Sequence, residues 1–275
     1  MELTLLGTGC PSVDYKRCGS ANIVSTKNVK ILVDCGSGVT QRLNQANISS
    51  AKIDALFLTH LHSDHVVDLY QLIISSWHSY RTKPWKIYGP KGTKKFVKKI
   101  MDVFQDERKL RISYESRYSI KAFDIQVTEF NSNGSYSFKD LKVKYFEVDH
   151  KPVKYAYGFS FFNNSKKLTI SGDTKPCENL MKYAYKSDVL LHEVFVEGEI
   201  KEINKMRTKK TLHNVKKYHT SSSQVGKVAY ITKCKKLILT HFVPTRFNIP
   251  RLKKIVRKDF GKDPVIGKDL LKINI

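Results

Sequence analysis

The sequence predicts a layered α/β sandwich that forms one domain over residues 1–275. Short runs rich in β-forming residues alternate along the chain with segments of helical spacing, which is typical of α/β layers. Hydrophobic residues make up 41% of the 275 residues, and a chain of this length can bury a large core. No apolar run is long enough to span a bilayer, so we expect no membrane association.

The first half of the chain contains both patterns. The runs L-T-L-L-G, N-V-K-I-L-V-D, I-D-A-L-F-L-T-H and W-K-I-Y-G-P predict short strands. Apolar side chains then recur at helical spacing from Val66 to Trp77. A second helix is predicted over 93–104, with apolar residues on one face and solvated lysines on the other.

The second half repeats this alternation. Strands are predicted in L-K-V-K-Y-F-E-V-D-H, Y-G-F-S-F-F, K-L-T-I-S-G-D, D-V-L-L-H-E and K-L-I-L-T-H. The run S-S-S-Q-V-G-K-V-A-Y-I predicts a helix that begins at a serine cap. Two basic stretches look peripheral. We expect residues 199–217 to form a mobile or partly helical surface insertion and residues 251–275 to form a basic tail.

The net charge and the cysteine count restrict the possible functions only weakly. Lys and Arg total 49 against 25 Asp and Glu, a formal net charge of +24. This excess favours an anionic partner such as RNA, but lysines spread over solvent faces would give the same total without that role. Five cysteines without a C-x-x-C pair do not suggest a disulfide framework, so we expect a cytoplasmic protein.

Polar side chains with metal-binding chemistry follow five of the predicted strands. Ends of strands are rigid and face a common edge, where open α/β sheets place their sites. His192 follows a fully apolar run and is also compatible with buried packing, so Glu193 is the stronger functional candidate. The residues at these five strand ends are His60, His150, Asp173, the pair His192 and Glu193, and His241.

Imidazole and carboxylate ligands without thiolates favour zinc, with manganese or iron as alternatives. Four ligands in H-L-H-S-D-H are too close in sequence for one tetrahedral ion. We therefore expect His60 and His62 to bind one ion and Asp64 and His65 to bind a second. Asp173 is the candidate bridge, while His150 and His241 would complete one centre each. Two ions about 3.5–4 Å apart can hold a hydroxide that attacks an ester.

These motifs together resemble the metallo-β-lactamase fold superfamily, through H-L-H-S-D-H at 60–65, D-H at 149–150, S-G-D-T at 171–174 and T-H-F at 240–242. Within it, L-L-G-T-G-C-P, L-L-H-E-V-F and Y-H-T-S-S-S-Q-V-G-K-V-A are similar to the ribonuclease Z and arylsulfatase-like branch. The resemblance covers nearly the whole chain. It implies a four-layer αββα sandwich with two metal ions, usually Zn²⁺, at one edge.

The resemblance also implies roles for individual residues. Asp173 matches the bridging ligand, and Asp64 belongs to the metal motif and to the catalytic set. His219 and Glu193 match the pair that handles the leaving group, in which Glu193 orients or charges His219. Asp34 in V-D-C-G resembles a carboxylate that supports the metal-binding histidines. Relatives in this branch often form dimers, so a homodimer is one expected assembly.

The sequence departs from ribonuclease Z at two points. Many ribonuclease Z proteins carry a long arm that grips transfer RNA, and this arm is often inserted between the D-H and S-G-D-T motifs. In this sequence a hairpin-like segment fills that interval. Ser63 also stands where ribonuclease Z usually has glycine. We therefore expect a di-zinc hydrolase of small anionic esters, either sulfate esters or phosphodiesters. The alternatives are a ribonuclease Z-type endoribonuclease for transfer RNA 3′ ends, a lactonase or thioesterase, and a non-catalytic metal-binding module.

Overall fold

The computed structural model describes residues 1–200 and 208–275 of the chain. In these ranges, two seven-stranded sheets pack face to face, and helices cover the outer face of each sheet. This arrangement is the four-layer αββα sandwich, so the predicted fold class is confirmed.

The first sheet is built mainly from the first half of the chain. Its strands run in the order β14-β1-β2-β3-β4-β5-β6, antiparallel from β14 to β3 and parallel from β3 to β6. The strands of this sheet are β1 (Glu2–Gly7), β2 (Ala21–Ser25), β3 (Lys30–Val33), β4 (Ala55–Phe57), β5 (Trp85–Gly89), β6 (Ile125–Glu129) and β14 (Lys272–Asn274).

The second sheet is built from the second half, in the order β13-β12-β11-β10-β9-β8-β7. Strands β7 to β10 form antiparallel pairs, whereas β10 to β13 run parallel. The strands of this sheet are β7 (Gly134–Phe138), β8 (Leu141–Glu147), β9 (Tyr157–Asn163), β10 (Lys166–Ile170), β11 (Val189–Phe195), β12 (Lys236–Val243) and β13 (Val265–Ile266).

The described helices lie outside the two sheets. They are α1 (Val39–Gln45), α2 (Ser63–Val66), α3 (Leu69–His78), α4 (Thr93–Val103), α5 (Gln105–Glu115), α6 (Glu178–Ala184), α7 (Lys209–Lys217), α8 (Ser222–Thr232) and α9 (Ile249–Phe260), with 3₁₀ turns at Ser50–Lys52 and Lys121–Phe123. In the described ranges, no helix combines the length and the apolar composition that crossing a membrane requires.

Three hydrophobic layers hold the sandwich together. The central layer lies between the sheets, where Phe57 of β4 contacts Phe159 of β9 edge to face, with ring centroids 5.5 Å apart. The second layer packs α1, α3 and α4 against the first sheet, and the third packs α6, α8 and α9 against the second. Burial of this apolar surface is the main driving force that keeps the strand ends in register.

The C-terminal stretch is an integral part of both sheets, and its prediction as a basic tail is wrong. Leu252, Val256 and Phe260 of α9 are buried against the second sheet and α8, at the spacing of one helical face. Strand β14 pairs with β1 and completes the first sheet. Lysines and arginines on the outer face of α9 had masked this apolar pattern.

The predicted insertion at 199–217 falls partly on residues 201–207, which lie outside the described residues. Where the structure describes it, residues 209–217 form the complete helix α7. The side chain of Thr208 caps this helix by accepting a hydrogen bond from the backbone N–H of Thr211. The lysines of α7 are exposed, as expected for a basic surface segment.

Candidate active site

The two sheets bring all seven predicted metal ligands to one edge of the sandwich. The loop after β4 carries His60 and His62, and the short helix α2 carries Asp64 and His65. The other three come from the second sheet, which explains why residues far apart in sequence meet. Three groups have ligand atoms within 4.8 Å of one another: His60, His62, His150 and Asp173 in the first, Asp64, His65 and His241 in the second, and Asp173, His219 and His241 in the third.

Asp173 belongs to the first group and also lies close to the second. Its Oδ2 atom is 3.9 Å from Nε2 of His60 and 3.9 Å from Nε2 of His150, in the first group. The same oxygen is 3.4 Å from Nε2 of His65 and 3.3 Å from Nε2 of His241, in the second. One carboxylate oxygen therefore faces four imidazoles, as the predicted bridging role requires.

A β-bulge directs His241 into the site. The prediction that the strands end at Glu193 and His241 is wrong, because β11 continues to Phe195 and β12 to Val243. In their register Glu193 pairs with Thr240 and Val194 pairs with Phe242, so His241 is the extra residue. Its φ of 43° is unusual for a side chain other than glycine, and such bulges often occur beside active sites.

Hydrogen bonds at Nδ1 orient three of the histidines. His65 donates from Nδ1 to Asp34 Oδ2 at 2.8 Å, and His150 donates from Nδ1 to the carbonyl oxygen of Tyr218 at 2.8 Å. Nδ1 of His60 lies 3.0 Å from the hydroxyl of Thr59, which also donates to Asp34. With Nδ1 engaged, Nε2 of each ring faces Asp173, which is the usual arrangement of metal-binding histidines.

The electrostatics of the site suit a cation. Nε2 of His60 and Nε2 of His65 are buried and form no hydrogen bond with any group in the described ranges. Burial and the neighbouring ring of His65 hold the pKa of His60 well below its usual value. Burial also disfavours the charged form of His65, but Asp173, Asp34 and Asp64 outweigh it and raise the pKa of this ring. The residues present therefore fit a bound metal ion.

His219 and Glu193 form a second functional unit beside the metal ligands. Nδ1 of His219 donates to Oε1 of Glu193 at 2.9 Å, and the backbone N–H groups of Thr174 and Thr220 donate to the same oxygen at 3.0 and 3.2 Å. Burial alone would lower the pKa of His219, but the Glu193 carboxylate outweighs this effect and raises it to about 9. The Glu193 carboxylate therefore favours the protonated form of His219, which can donate a proton.

A cavity of about 380 Å³ opens over these groups. His62, Asp64, Asp173, His219 and His241 contribute its polar floor. Its upper part is lined mainly by apolar side chains from the loop after β1, from the residues around the end of β12 and from α7. A substrate can therefore reach the metal ligands and the protonated histidine from the same side.

A family model described as "Anti-Pycsar protein Apyc1" matches residues 1–224 of the chain. A "Ribonuclease Z" from Mycolicibacterium gilvum is 33% identical over 248 residues, which cover 89% of this chain and 85% of that protein. The chain belongs to the Anti-Pycsar protein Apyc1 family and to the ribonuclease Z branch of the metallo-β-lactamase fold. The prediction of this superfamily and branch from the sequence motifs is confirmed.

Two solved structures have the same fold as this chain. The metallo-β-lactamase fold protein YhfI from Bacillus subtilis superposes with a TM-score of 0.75 at 19% identity, covering 99% of this chain and 98% of that one. The short form of human tRNase Z also gives 0.75, at 22% identity, covering 100% of this chain and 99% of that one. At these identities the two structures establish the fold alone.

Among the substrate predictions, the relatives support the ribonuclease Z alternative better than the small-ester prediction, and none of those named above is described as an arylsulfatase. The ligand cluster and the fold together indicate a metal cofactor. The expected missing arm agrees with the structure, because β9 and β10 form a direct antiparallel hairpin between His150 and Asp173. The chain therefore has the ribonuclease Z fold without an extension at that position.

Sequence reasoning missed two contributions to the site. The carbonyl oxygen of Tyr218 fixes His150, and nothing in the sequence marks a backbone acceptor of this kind. Leu212 and Val215 line the cavity, although the basic composition of 199–217 had suggested a segment away from the site. Their spacing of three residues was the available signal, but two apolar residues among lysines are too few to define a helical face.

Proposed function

We propose that this chain is a metal-dependent phosphodiesterase of the ribonuclease Z type that cleaves RNA at the 3′ ends of transfer RNA precursors. One observation carries the proposal: the ligand cluster around Asp173 and the protonated His219 share the floor of one open cavity. Cleavage of a phosphodiester requires stabilisation of negative charge at phosphorus and a proton for the leaving oxygen. This floor offers groups suited to both requirements.

Two Zn²⁺ ions are the proposed cofactor, with Mn²⁺ or Fe as alternatives, because the donors are imidazoles and carboxylates. His60, His62 and His150 would hold one ion, Asp64, His65 and His241 the other, and Asp173 would contact both. Bound metal ions supply Lewis acidity toward a phosphoryl oxygen and a water molecule of lowered pKa. Asp34 holds the ring of His65 in place for this role through its 2.8 Å hydrogen bond.

His219 is the proposed proton donor to the leaving oxygen. It lines the cavity, and Glu193 both orients its ring and favours its charged form. Glu193 is itself fixed by two backbone N–H groups, so the pair is rigid. An alkoxide leaving group needs such a donor, because its own pKa is far above neutral.

A small phosphodiester is the second candidate substrate. The cavity of about 380 Å³ favours it, because this volume lies near the lower end of the range for small-molecule sites. The hairpin of β9 and β10, without an RNA-gripping arm, favours it as well. The net charge of +24 attracts either anion and does not distinguish between them. A homodimer and a cytoplasmic location also remain proposals; the five unpaired cysteines agree with a reducing compartment.

The test is a substrate panel with the protein reconstituted with Zn²⁺ or Mn²⁺. It contains a transfer RNA precursor with a 3′ trailer, bis(p-nitrophenyl) phosphate and an aryl sulfate. We expect phosphodiester cleavage that a chelator removes and that His62→Ala lowers by about 10³-fold, because several kcal/mol of charge stabilisation are lost. His213→Ala is the matched control, since this histidine lies on the exposed face of α7.

The other outcomes separate the alternatives. Precursor cleavage with binding that weakens steeply as salt rises supports the ribonuclease, because released counterions drive RNA binding. Cleavage of the small diester alone favours the second candidate. Hydrolysis of the aryl sulfate alone would revive the sulfate-ester prediction. No hydrolysis of any ester, with fewer than two metal ions per chain by elemental analysis, would contradict catalysis and favour a binding module.

A further inference from the structure

The upper part of the cavity differs in chemistry from its floor. The floor carries charged and ionisable groups, whereas apolar atoms line much of the rest of the cavity. They come from α7, through Leu212 and Val215, and from the segments after β1 and around the end of β12. These apolar residues are Pro11, Ile200, Leu212, Val215, Val243 and Pro244.

Helix α7 presents a single apolar face to this cavity. Leu212 and Val215 are its two half-buried residues, and the other seven residues of the helix are exposed. Val215 also packs against a small buried cluster formed by Cys10, Phe195 and Val243. Lys216 pairs with Glu197 and fastens the helix next to β11. The position of Val215 is therefore fixed by packing against the sandwich and by this ion pair.

A second group of apolar residues lines the same cavity. Pro11 follows β1, and Val243 and Pro244 lie at the end of β12, directly after the bulge that places His241. Proline and valine offer no hydrogen-bond donors from their side chains, so this wall selects for shape and apolar surface. We call these apolar residues together the slot; they line the same cavity as the metal ligands.

We propose that Leu212 and Val215 determine substrate specificity by holding one planar ring, carried by the phosphodiester, against the wall of Pro11, Val243 and Pro244. This inference rests on the proposed phosphodiesterase function and specifies which substrates it accepts. A cavity of about 380 Å³ accommodates one ring with its ester group. The ring gains by leaving water for apolar walls, while the phosphoryl group stays over the polar floor.

The test measures binding separately from turnover. The affinities of phenyl phosphate and methyl phosphate for the metal-loaded protein are measured by titration calorimetry. Both ligands carry a phosphate, but only phenyl phosphate carries a ring. We expect phenyl phosphate to bind at least about 10-fold more tightly, as apolar pockets discriminate by factors of 10 to 200. In Leu212→Ala/Val215→Ala the preference should fall to about twofold or less, because the wall is withdrawn from the ring.

Two further variants keep the result interpretable. Leu212→Phe fills the slot and should weaken phenyl phosphate about 10-fold while leaving methyl phosphate nearly unchanged. Lys210→Ala and His213→Ala, on the exposed side of α7, should preserve the ring preference of the wild type. An unchanged preference in the double alanine variant, with its thermal unfolding intact, overturns the proposal. An equal loss for both ligands overturns it too, since the helix would then act only on the floor.

A second comparison asks whether the ring belongs to a free ester or to an RNA end. It measures the binding of a nucleoside 5′-monophosphate and of a single-stranded ribo-oligonucleotide with one unpaired terminal base. Tighter binding of the nucleotide identifies a free ester as the source of the ring, and tighter binding of the oligonucleotide identifies an RNA end. Either result supports the proposal if the double alanine variant no longer shows the tighter binding. Failure of the two proposals is distinguishable. Ring preference without hydrolysis contradicts the proposed function alone, and hydrolysis without ring preference contradicts this inference alone.

Discussion

The floor of the cavity and helix α7 are built in different ways. The predicted ligands and Glu193 lie on strands of the two sheets, on loops after strands or on the short helix α2, and nearly all of their side chains are buried, as is His219, which follows α7. Helix α7 has no buried residue and is attached through Val215 and the Lys216–Glu197 pair. The reaction chemistry thus belongs mainly to the packed sandwich, whereas the proposed substrate choice belongs to a surface helix that joins the site through Tyr218 and His219.

The strongest test of this division is Glu193→Gln, which keeps the shape of the floor but removes a charge. Without the Glu193 carboxylate, burial should lower the pKa of His219 from about 9 to below the ordinary 6.5, so little of the proton donor is charged at neutral pH. We expect kcat to fall by about 10²–10⁴-fold for every substrate, with KM and metal content nearly unchanged. Steady-state kinetics and elemental analysis measure these quantities. A loss that differs between substrates with and without a ring would break the division.

A smaller effect is expected at Asp34, which acts on the floor through His65. Asp34→Asn should lower metal affinity by about 10–100-fold, because the hydrogen bond that orients the ring is weakened. Titration against a chelating dye measures this affinity. Asp54→Asn is the matched control, since Asp54 caps a turn near β3 and pairs with Lys83 at the surface. Equal metal affinity in both variants would mean that Asp34 supports the backbone alone.

The smallest effect is expected at the tether of α7. Burial would raise the pKa of Glu197, but hydrogen bonds from Lys216 and Ser223 lower it to about 2 from the usual 4.5. A lowered pKa stabilises the fold at pH values above 4.5, and this contribution is lost as the pH falls from 4.5 toward 2. Glu197→Gln should therefore cost about 1 kcal/mol or less at pH 7, and the difference should shrink in acid.

Denaturant unfolding of both proteins between pH 7 and pH 3.5 measures this difference. Asp102→Asn is the control, because the Lys98–Asp102 pair is exposed on α4 and touches neither the cavity nor α7. A difference that grows as the pH falls would contradict the assigned charge state of Glu197. A large loss of kcat in Glu197→Gln would show that α7 and the floor are coupled.

The sequence predicts the floor better than the wall for physical reasons. H-L-H-S-D-H is a local cluster, so its meaning does not depend on the rest of the chain. Asp173 and His150 follow apolar runs, and strand ends of one sheet share an edge. His241 was placed correctly at that edge, but the bulge that turns it inward depends on the pairing of β12 with β11. No residue pattern in the neighbourhood of His241 encodes that register.

The wall and the C-terminal segment were harder to predict because charge obscured their apolar residues. Leu252, Val256 and Phe260 have helical spacing, yet surrounding lysines and arginines suggested a solvated tail. Leu212 and Val215 show the same pattern over a shorter helix. In both cases the apolar face became evident only when the partner surface was known, which is tertiary information.

The pairing of β14 with β1 joins residues 2–4 to residues 272–274, which are far apart in sequence. During synthesis, β1 therefore leaves the ribosome long before its partner. Until then one border of the first sheet stays open, with unpaired backbone groups that can recruit other chains. A molecule that lacks residues 272–274 should therefore be prone to self-association, and a chaperone that shields this border would oppose it.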